Sequence, residues 1–575
     1  MQSSIRMDRN VPVQTRDGCV LRADIYRPDD DAKHPAILFR TPYSKALTGN
    51  SDYLNIIEAA HAGYAIIVQD VRGRFASEGE WRRDSMFTVE GPDGYDTVEW
   101  IASERWCDGN VGTAGGSYLA GLQWATAMET PLHLKAMAPW MGIWGAGMEP
   151  RPTGGAILLS VALNATPMMA VDVADRLERE GKDVTELRRA IKWAMDNPEE
   201  AANFLPLKDI PFARFERIRE TWNMRLHPPP KSEQEKRQRF ENVIAPCFYA
   251  CGWYDIIEWA TFESFKIMRT RGGSPRAREG QHLLVGPWMH GRILDFLGEL
   301  NFGASAGLWQ AQVSEQNIAF FDKYLRGRDI QIPTVRYFVM GRNRWQTADD
   351  WPLPQTQWQR FFFHSKGGAN TAAGDGGLSR DAPGAESPDI FIYDPHRPVP
   401  SVGGRLYGVG VTPGPIEQSR VEKRNDVLCY TTPKLDEEVE VTGPLQAHLF
   451  ATTSARDTDF AAKLVDVHPD GRAYNVVKGI IRASGRKLNG QRERVTPGEV
   501  YEYVISMGDT SQLFRKGHRI RVDISSSNFP MFDRNMNTGN PIGEDARGIP
   551  AMQTIYHQSG FASYIDLPVI PPLKM

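Results

Sequence analysis

The sequence predicts an α/β fold in which a mostly parallel, doubly wound sheet is interrupted by a helical insertion and followed by an all-β sandwich. Short, nearly continuous apolar runs alternate with helical spacers, which is the pattern of strands buried on both faces of a parallel sheet. Between residues 138 and 242 the strand signals give way to helical periodicity. Beyond a loop of turn-forming residues at 366–377, strand patterns dominate to the end of the chain.

The predicted sheet begins with an alternating segment over 17–26, which is typical of an edge hairpin strand. The parallel strands follow, separated by helical spacers such as 96–103. They are predicted at residues 36–39, 65–68, 111–114, 136–139, 243–250 and 283–286. We therefore assign residues 1–145 and 241–354 to one domain whose sequence is split by an insertion.

The insertion, assigned to residues 146–240, is predicted to be a helical cap over the sheet. The segment 183–186 has the acidic N-cap and third-position glutamate of a capping box. Leu187, Ile191 and Met195 then recur at helical spacing and predict one apolar helix face.

The last part of the chain, residues 355–575, is predicted to be an antiparallel sandwich. Alternating or β-branched patterns mark strands at residues 438–451, 459–467, 473–481, 500–507 and 518–525. Such sandwiches often bind sugars, so a carbohydrate-binding role for this domain stays open.

Composition excludes several classes of function. At 575 residues the chain is too long for one core, and its 41% hydrophobic and 24% charged residues are ordinary for a globular protein. The net charge of −4 argues against nucleic acid as a partner. No apolar run is long enough to span a membrane, and the first residues lack a signal-peptide core, so a cytoplasmic location is expected.

The five cysteines do not suggest a disulfide framework, and they form no paired zinc-binding pattern. The sequence also contains neither a phosphate loop nor a dinucleotide fingerprint. We therefore expect no metal and no organic cofactor.

Ser117 is the strongest candidate for a catalytic nucleophile. It follows a short apolar strand and two glycines, and a predicted helix begins directly after it. Strand, tight turn and helix form the context of a nucleophile elbow, in which the amide of the next residue, Tyr118, can donate to an oxyanion. The same residues could form an ordinary loop before a helix, so the string alone does not decide.

Asp255 and His290 supply the acid and the base in the order that this type of hydrolase uses. Each lies just past the end of a predicted buried strand, where open α/β sheets place their sites. Taken singly, Asp255 could be a helix N-cap and His290 a loop residue. Three such residues in the required order make coincidence improbable.

Tyr43 lies in the loop after the predicted strand at 36–39, the loop that supplies the second oxyanion donor in such enzymes. A phenol can donate one short hydrogen bond to a developing negative oxygen. Its position alone also fits an aromatic residue that covers the rim of the sheet.

Six segments together resemble the cocaine-esterase-like serine hydrolases, which share their architecture with Xaa-Pro dipeptidyl-peptidases and α-amino acid ester hydrolases. The resemblance covers essentially the whole chain and implies an α/β-hydrolase domain, an inserted helical cap and a jelly-roll domain. The segments are Thr41-Pro-Tyr43, Asp70-Val-Arg-Gly73, Asp93-Gly-Tyr-Asp-Thr-Val-Glu-Trp100, Gly115-Gly-Ser-Tyr118, Gly252-Trp-Tyr-Asp255 and Gly286-Pro-Trp-Met-His290.

The resemblance also implies roles for individual residues. Ser117 would be the nucleophile, His290 the general base and Asp255 the carboxylate that orients the histidine. The Tyr43 hydroxyl and the Tyr118 amide would form the oxyanion hole.

The substrate is expected to be a small ester or amide with an uncharged aromatic or aliphatic acyl group. The α-amino acid ester hydrolases carry an acidic cluster soon after the catalytic aspartate, whereas here only one carboxylate follows among apolar residues. Candidate substrate-binding residues are Ile257, Glu258, Trp288, Leu406 and Tyr407.

Alternatives remain open at this point. A dipeptidyl-peptidase, an amidase or an α-amino acid ester hydrolase could use the same fold. A catalytically silent scaffold whose sandwich binds a ligand is a hypothesis of a different class. The sequence also leaves a homodimer open.

Overall fold

The computed structural model describes residues 4–48, 51–82, 86–142, 153–227, 239–408, 410–489 and 491–571. Within these ranges the chain forms a ten-stranded sheet, a group of inserted helices and a twelve-stranded, mostly antiparallel assembly. The predicted boundary at 145 lies outside the described residues, and the division into domains remains a prediction.

The first sheet has the strand order β1-β2-β4-β3-β5-β6-β7-β8-β11-β12. Neighbours from β4 to β11 in this order pair in parallel, and the outer pairs are antiparallel. A small hairpin, β9–β10, follows β8. The strands are β1 (Ile5–Gln14), β2 (Val20–Pro28), β3 (His34–Thr41), β4 (Ala65–Asp70), β5 (Cys107–Ser117), β6 (Leu134–Gly142), β7 (Cys247–Tyr254), β8 (Gln281–Met289), β9 (Phe296–Leu297), β10 (Leu300–Asn301), β11 (Val335–Val339) and β12 (Arg344–Ala348).

The predicted parallel strands are confirmed, but the prediction of the edge strand was wrong. The segment predicted at 17–26 is β2, which pairs with β4 on one side and with β1 on the other. Strand β1 is the true edge, and it carries a register shift between Asp8 and Val11, with Asn10 at φ 52°. Bulges and charged residues are usual on edge strands, and they obscure the alternating pattern.

Helices cover both faces of the sheet, and within the described residues a separate group of four lies between β6 and β7. That group, α5 to α8, falls within residues 159–226. The helices are α1 (Lys45–Thr48), α2 (Ile56–His61), α3 (Gly91–Ser103), α4 (Tyr118–Met128), α5 (Leu159–Arg179), α6 (Thr185–Asp196), α7 (Pro198–Asn203), α8 (Glu216–Leu226), α9 (Glu258–Arg271), α10 (Pro275–Glu279), α11 (Leu308–Ala311), α12 (Val313–Leu325) and α13 (Ser419–Glu422).

Helix α6 shows how the inserted helices make their own core. Leu187 and Ile191 are buried as predicted, whereas Met195 is 40% exposed. At its start, the Asp183 carboxylate accepts a hydrogen bond from the Thr185 amide at 2.9 Å. None of the helices in the described ranges is long and apolar enough to cross a membrane.

The C-terminal assembly is an all-β sandwich, and the five predicted strands correspond to β17 to β21. Their neighbours in the sheets include seven strands that the sequence did not reveal. The strands are β13 (Gln357–His364), β14 (Gly377–Ser379), β15 (Asp389–Tyr393), β16 (Leu428–Thr431), β17 (Val439–Thr453), β18 (Asp459–Val467), β19 (Ala473–Arg482), β20 (Tyr501–Phe514), β21 (Arg519–Ser525), β22 (Ala551–Gln558), β23 (Phe561–Ala562) and β24 (Tyr564–Ile570).

The sandwich packs against the first sheet through buried polar contacts. Arg405, in the loop before β16, donates to the Trp253 carbonyl of β7 at 3.2 Å and to the carbonyls of Met507 and Asp509, each at 2.8 Å. The Trp351 indole donates to the Asp509 carboxylate at 2.7 Å. These contacts fix β20 against the strand that leads to Asp255.

Candidate active site

Ser117 lies at a strained turn between β5 and α4. Its backbone has φ 59° and ψ −122°, a conformation that costs free energy for a residue with a Cβ atom. A Cβ on Gly115 would lie 2.6 Å from Leu119 Cβ, and one on Gly116 would lie 2.4 Å from Met141 Cε. Glycine at 115, where φ is 138°, therefore allows a close packing that a larger residue would prevent, and the predicted strand, tight turn and helix are confirmed.

Asp255 and His290 face each other just past the ends of β7 and β8. Nδ1 of His290 lies 3.0 Å from Oδ1 of Asp255, and the aspartate is fully buried. The same carboxylate oxygen accepts the amide hydrogen of Ile257 at 2.8 Å. This pairing fixes the imidazole plane and favours the tautomer with its proton on Nδ1, in which Nε2 carries the lone pair.

The turn that carries Ser117 and the loop that carries His290 both contact Met141 at the end of β6. The Gly291 amide donates to Met141 Sδ at 2.8 Å. In the strand ladder Ser117 pairs with Gly142, directly beside that methionine. The carboxyl ends of β5, β6 and β8 thus converge on one point of the sheet.

Tyr43 lies beside Tyr118 in the loop after β3. Their rings have centroids 6.2 Å apart at an interplanar angle of 73°. The Tyr43 amide donates to Thr41 Oγ1 at 3.0 Å, which shapes the loop. The two residues expected to donate to an oxyanion are therefore neighbours at the nucleophile turn.

Arg74 supports this loop, and the sequence did not single it out. It is 1% exposed, and its Nε donates to the Pro42 carbonyl at 3.1 Å. Its guanidinium also lies 3.4 Å from Asp172 on α5, which connects the loop to the inserted helices. In the sequence, the one sign of this role is a charged residue within a run of turn-forming residues. That sign does not identify its partners, because Asp172 lies far along the chain.

Comparison with known proteins identifies the family. The sequence profile described as X-Pro dipeptidyl-peptidase (S15 family) matches residues 17–292, and that of the X-Pro dipeptidyl-peptidase C-terminal non-catalytic domain matches residues 330–566. Cocaine esterase of Rhodococcus sp. (strain MB1 Bresler) is 36% identical over 98% of this chain and 98% of its own. The chain belongs to the cocaine esterase family. It is therefore a hydrolase of the serine esterase class, and the predicted resemblance is confirmed.

Two solved structures confirm the fold. An aminopeptidase from the marine sediment archaeon Thaumarchaeota archaeon superposes with a TM-score of 0.78 at 24% identity, covering 99% of this chain and 97% of its own. An α-amino acid ester hydrolase gives 0.75 at 22% identity with the same coverage. At these identities the likeness concerns architecture alone: a hydrolase sheet, inserted helices and a C-terminal sandwich.

A cleft of about 1300 Å³ lies between α5 and the loop that carries Tyr407, and Ser117, Asp255 and His290 are not among its lining residues. Tyr407 and Leu406 line it from the sandwich side, and Leu163 and Asn164 line it from α5. The Tyr407 ring stands edge-on to His290, with centroids 5.3 Å apart. Of the candidate substrate-binding residues, Tyr407 is thus the one in direct contact with the histidine.

The other candidates are placed differently. Glu258 is 1% exposed and forms an ion pair with Arg405 at 2.8 Å, while burial raises its pKa to about 8. Trp288 is fully buried and donates to the Ala306 carbonyl at 2.7 Å. Ile257, 2% exposed, contributes its amide to Asp255. In this structure none of the three presents a side chain to the open cleft, because neighbouring residues enclose each one.

Proposed function

We propose that this protein hydrolyses small carboxylic esters through Ser117, His290 and Asp255. The observation that carries the proposal is the buried His290–Asp255 contact at 3.0 Å, together with the strained turn that holds Ser117 at φ 59°. Backbone strain and a fully buried carboxylate both cost stability, and such features concentrate at catalytic sites. Family membership gives the reaction class, and this geometry supports the assignment of residues.

The mechanism follows from the hydrogen-bonding order. Asp255 holds the Nδ1 proton of His290, and Nε2 takes the Ser117 hydroxyl proton as Oγ attacks the ester carbonyl. The Tyr43 hydroxyl and the Tyr118 amide donate to the oxygen that becomes negative. The tetrahedral intermediate collapses, and the leaving alcohol receives the proton from His290. Water then repeats these steps on the acyl-enzyme.

The environment of Glu258 supports an uncharged acyl group. This residue is the one carboxyl group close behind Asp255 in the sequence, and it is 1% exposed and already contacts Arg405 at 2.8 Å. An α-ammonium group on a substrate would need that carboxylate for itself, because burying an unpaired cation is costly. We therefore propose an aromatic or aliphatic acyl group in preference to an α-amino acyl group.

A matched pair of substrates tests this preference. The p-nitrophenyl esters of phenylacetic acid and of phenylglycine differ by one amino group at the α carbon. We expect the higher kcat/KM for phenylacetate, after subtraction of the rate measured with Ser117→Ala. A higher kcat/KM for phenylglycine, or faster cleavage of alanyl-proline p-nitroanilide, would favour the amino ester hydrolase or dipeptidyl-peptidase alternative.

We also propose that the protein acts in the cytoplasm on a small molecule and not on nucleic acid. All five cysteines are free, and four of them are buried, which suits a reducing compartment. The net charge of −4 gives no electrostatic attraction to a polyanion. Cell fractionation with an antibody to the native chain would contradict the location if the protein were found outside the cytoplasmic fraction.

A further inference from the structure

One end of the sandwich brings together three side chains with metal-ligand atoms, well apart from the catalytic residues in sequence. Asp466 is 4% exposed, His518 is 8% exposed, and the side chain of His468 keeps about a quarter of its surface open. One potential ligand atom from each of the three lies within 4.8 Å of the others. We propose that these residues bind one divalent transition-metal ion, of which Zn²⁺ is the best chemical match.

The strand pairing explains the convergence. Asp466 lies near the end of β18 and His468 just beyond it, so the two-residue period of a strand turns both side chains to one face. Val467 pairs with Arg519 on β21, which places His518 opposite His468 across the ladder. The two imidazole rings have centroids 4.5 Å apart. The ladder therefore builds the cluster from residues that are distant in sequence.

The distances within the cluster are close to those of a coordinated ion. Nε2 of His468 lies 3.7 Å from Oδ2 of Asp466. Ligands at about 2.0–2.1 Å from a tetrahedral metal are separated by roughly 3.4 Å, so only a small closure is required. Two imidazoles and one carboxylate are the ligand types that suit Zn²⁺ and its neighbours.

Further contacts orient the ligands in advance. Nδ1 of His518 lies 2.8 Å from Oδ1 of Asp466, so the ring nitrogen that faces the carboxylate is the one that would coordinate the ion, which would replace the proton shared between them. The Gln512 amide donates to Oδ2 of the same aspartate at 3.0 Å. A carboxylate oxygen has a second lone pair, so these hydrogen bonds still allow Asp466 to coordinate an ion.

A cavity of about 240 Å³ gives an ion and its water access to the cluster. It lies between the two domains, because Tyr254 and Asn301 line it from the sheet side and the three ligands from the sandwich side. Arg515 also lines this cavity and carries a positive charge. Its guanidinium donates two hydrogen bonds to the Gly341 carbonyl, which fix the position of that charge. Since Tyr254 directly precedes Asp255, a bound ion would brace the sandwich behind the catalytic acid.

The test measures metal content and binding in the untagged, full-length protein. After treatment with a chelator and dialysis, we expect one Zn²⁺ per chain by calorimetric titration and by elemental analysis. His468→Ala should lose this binding. His448→Ala is the matched control, because His448 lies in the same sandwich, 2.9 Å from Glu502, and should retain one ion.

Thermal unfolding provides a second measurement, since a ligand that binds only the folded state raises Tm. Zn²⁺ should raise the Tm of the wild type and of His448→Ala but not that of His468→Ala. Circular dichroism and ester turnover show whether each variant is folded, and His518→Gln replaces His468→Ala if the latter does not fold. Wild type without bound Zn²⁺, or equal binding by wild type and His468→Ala, would overturn the proposal.

Discussion

The hydrolase domain and the sandwich each hold a histidine against a buried aspartate. The two histidines differ in what contacts the ring nitrogen that does not face the aspartate. In the hydrolase domain Nδ1 of His290 lies 3.0 Å from Asp255, and the ring edge faces Tyr407 at the cleft. In the sandwich Nε2 of His557 lies 2.9 Å from Asp389. The two contacts have nearly the same length, so the contact itself does not make a histidine catalytic.

The difference is that carboxylates occupy both nitrogens of His557. Its Nδ1 lies 3.1 Å from Glu386, and the ring is fully buried. Burial lowers the pKa of His557, but hydrogen bonds and charge attraction from Asp389 and Glu386 outweigh this effect and raise it. A histidine held on both sides cannot exchange a proton with a substrate, whereas one held on one side at a cleft can.

The largest contrast should come from matched aspartate variants. Asp255→Asn should lower kcat on a p-nitrophenyl ester by about 10⁴-fold, because the histidine loses the carboxylate that sets its tautomer. Asp389→Asn, the matched control, should leave kcat near the wild-type value. A loss in Asp255→Asn below tenfold would mean that another carboxylate orients His290.

We expect His557 to contribute to the stability of the fold and not to catalysis. His557→Ala leaves the buried Asp389 and the partly exposed Glu386 without their cation and should lower the free energy of unfolding by about 3–5 kcal/mol, with kcat unchanged. Denaturant unfolding followed by circular dichroism measures the first, and the ester assay measures the second. A loss of kcat in a folded His557→Ala protein would break the comparison.

The contribution of His557 to the free energy of unfolding should depend on pH. The folded-state pKa of His557 is raised, so its contribution is fully present below the unfolded value of about 6.5 and is lost as pH rises through the folded pKa. The difference in unfolding free energy between wild type and His557→Ala should therefore shrink toward alkaline pH. A difference that grows between pH 6 and 9 would contradict this sign.

The oxyanion donors should give a smaller kinetic effect. Tyr43→Phe should lower kcat by about 10²–10³-fold, or 2.7–4 kcal/mol, with little change in KM, because its hydrogen bond strengthens as charge develops. Tyr564→Phe in the sandwich serves as the control for loss of a tyrosine hydroxyl. Equal kcat in Tyr43→Phe and wild type would leave Tyr43 as a rim aromatic.

Tyr407 should have the smallest effect. Its edge-on contact with His290 is of a type worth about 0.5–1.5 kcal/mol, so Tyr407→Ala should lower kcat/KM by up to about tenfold. Tyr407→Phe keeps the ring and should stay close to wild type. A loss in Tyr407→Phe as large as that in Tyr43→Phe would give the Tyr407 hydroxyl a direct role.

The sequence could predict the parallel strands and the positions of Ser117, Asp255 and His290, because each of these residues follows an apolar run at a marked turn. It could not predict the partner of Glu258, because Arg405 reaches it from a distant loop. The sequence did not predict strand β15. Its exposed positions carry Ile390 and Ile392, so the strand has apolar residues on both faces and the sequence shows no polar–apolar alternation.

The sequence did not predict the cluster of Asp466, His468 and His518 either, because His518 is distant from the other two residues in the sequence. A search for paired cysteines does not find it, and the expectation that no metal binds rested on that search. Its ligands meet only through the pairing of β18 with β21. Local patterns therefore predict elements and their ends, whereas contacts across the fold require the structure.

The most direct test of the central claim is covalent labelling of the nucleophile. A fluorophosphonate probe should modify one residue of the wild type, and peptide mass spectrometry should locate it at Ser117. His557→Ala should label like the wild type, while His290→Ala should label far more slowly and Ser117→Ala not at all. Labelling that persists in folded Ser117→Ala, or that maps to another serine, would contradict the account.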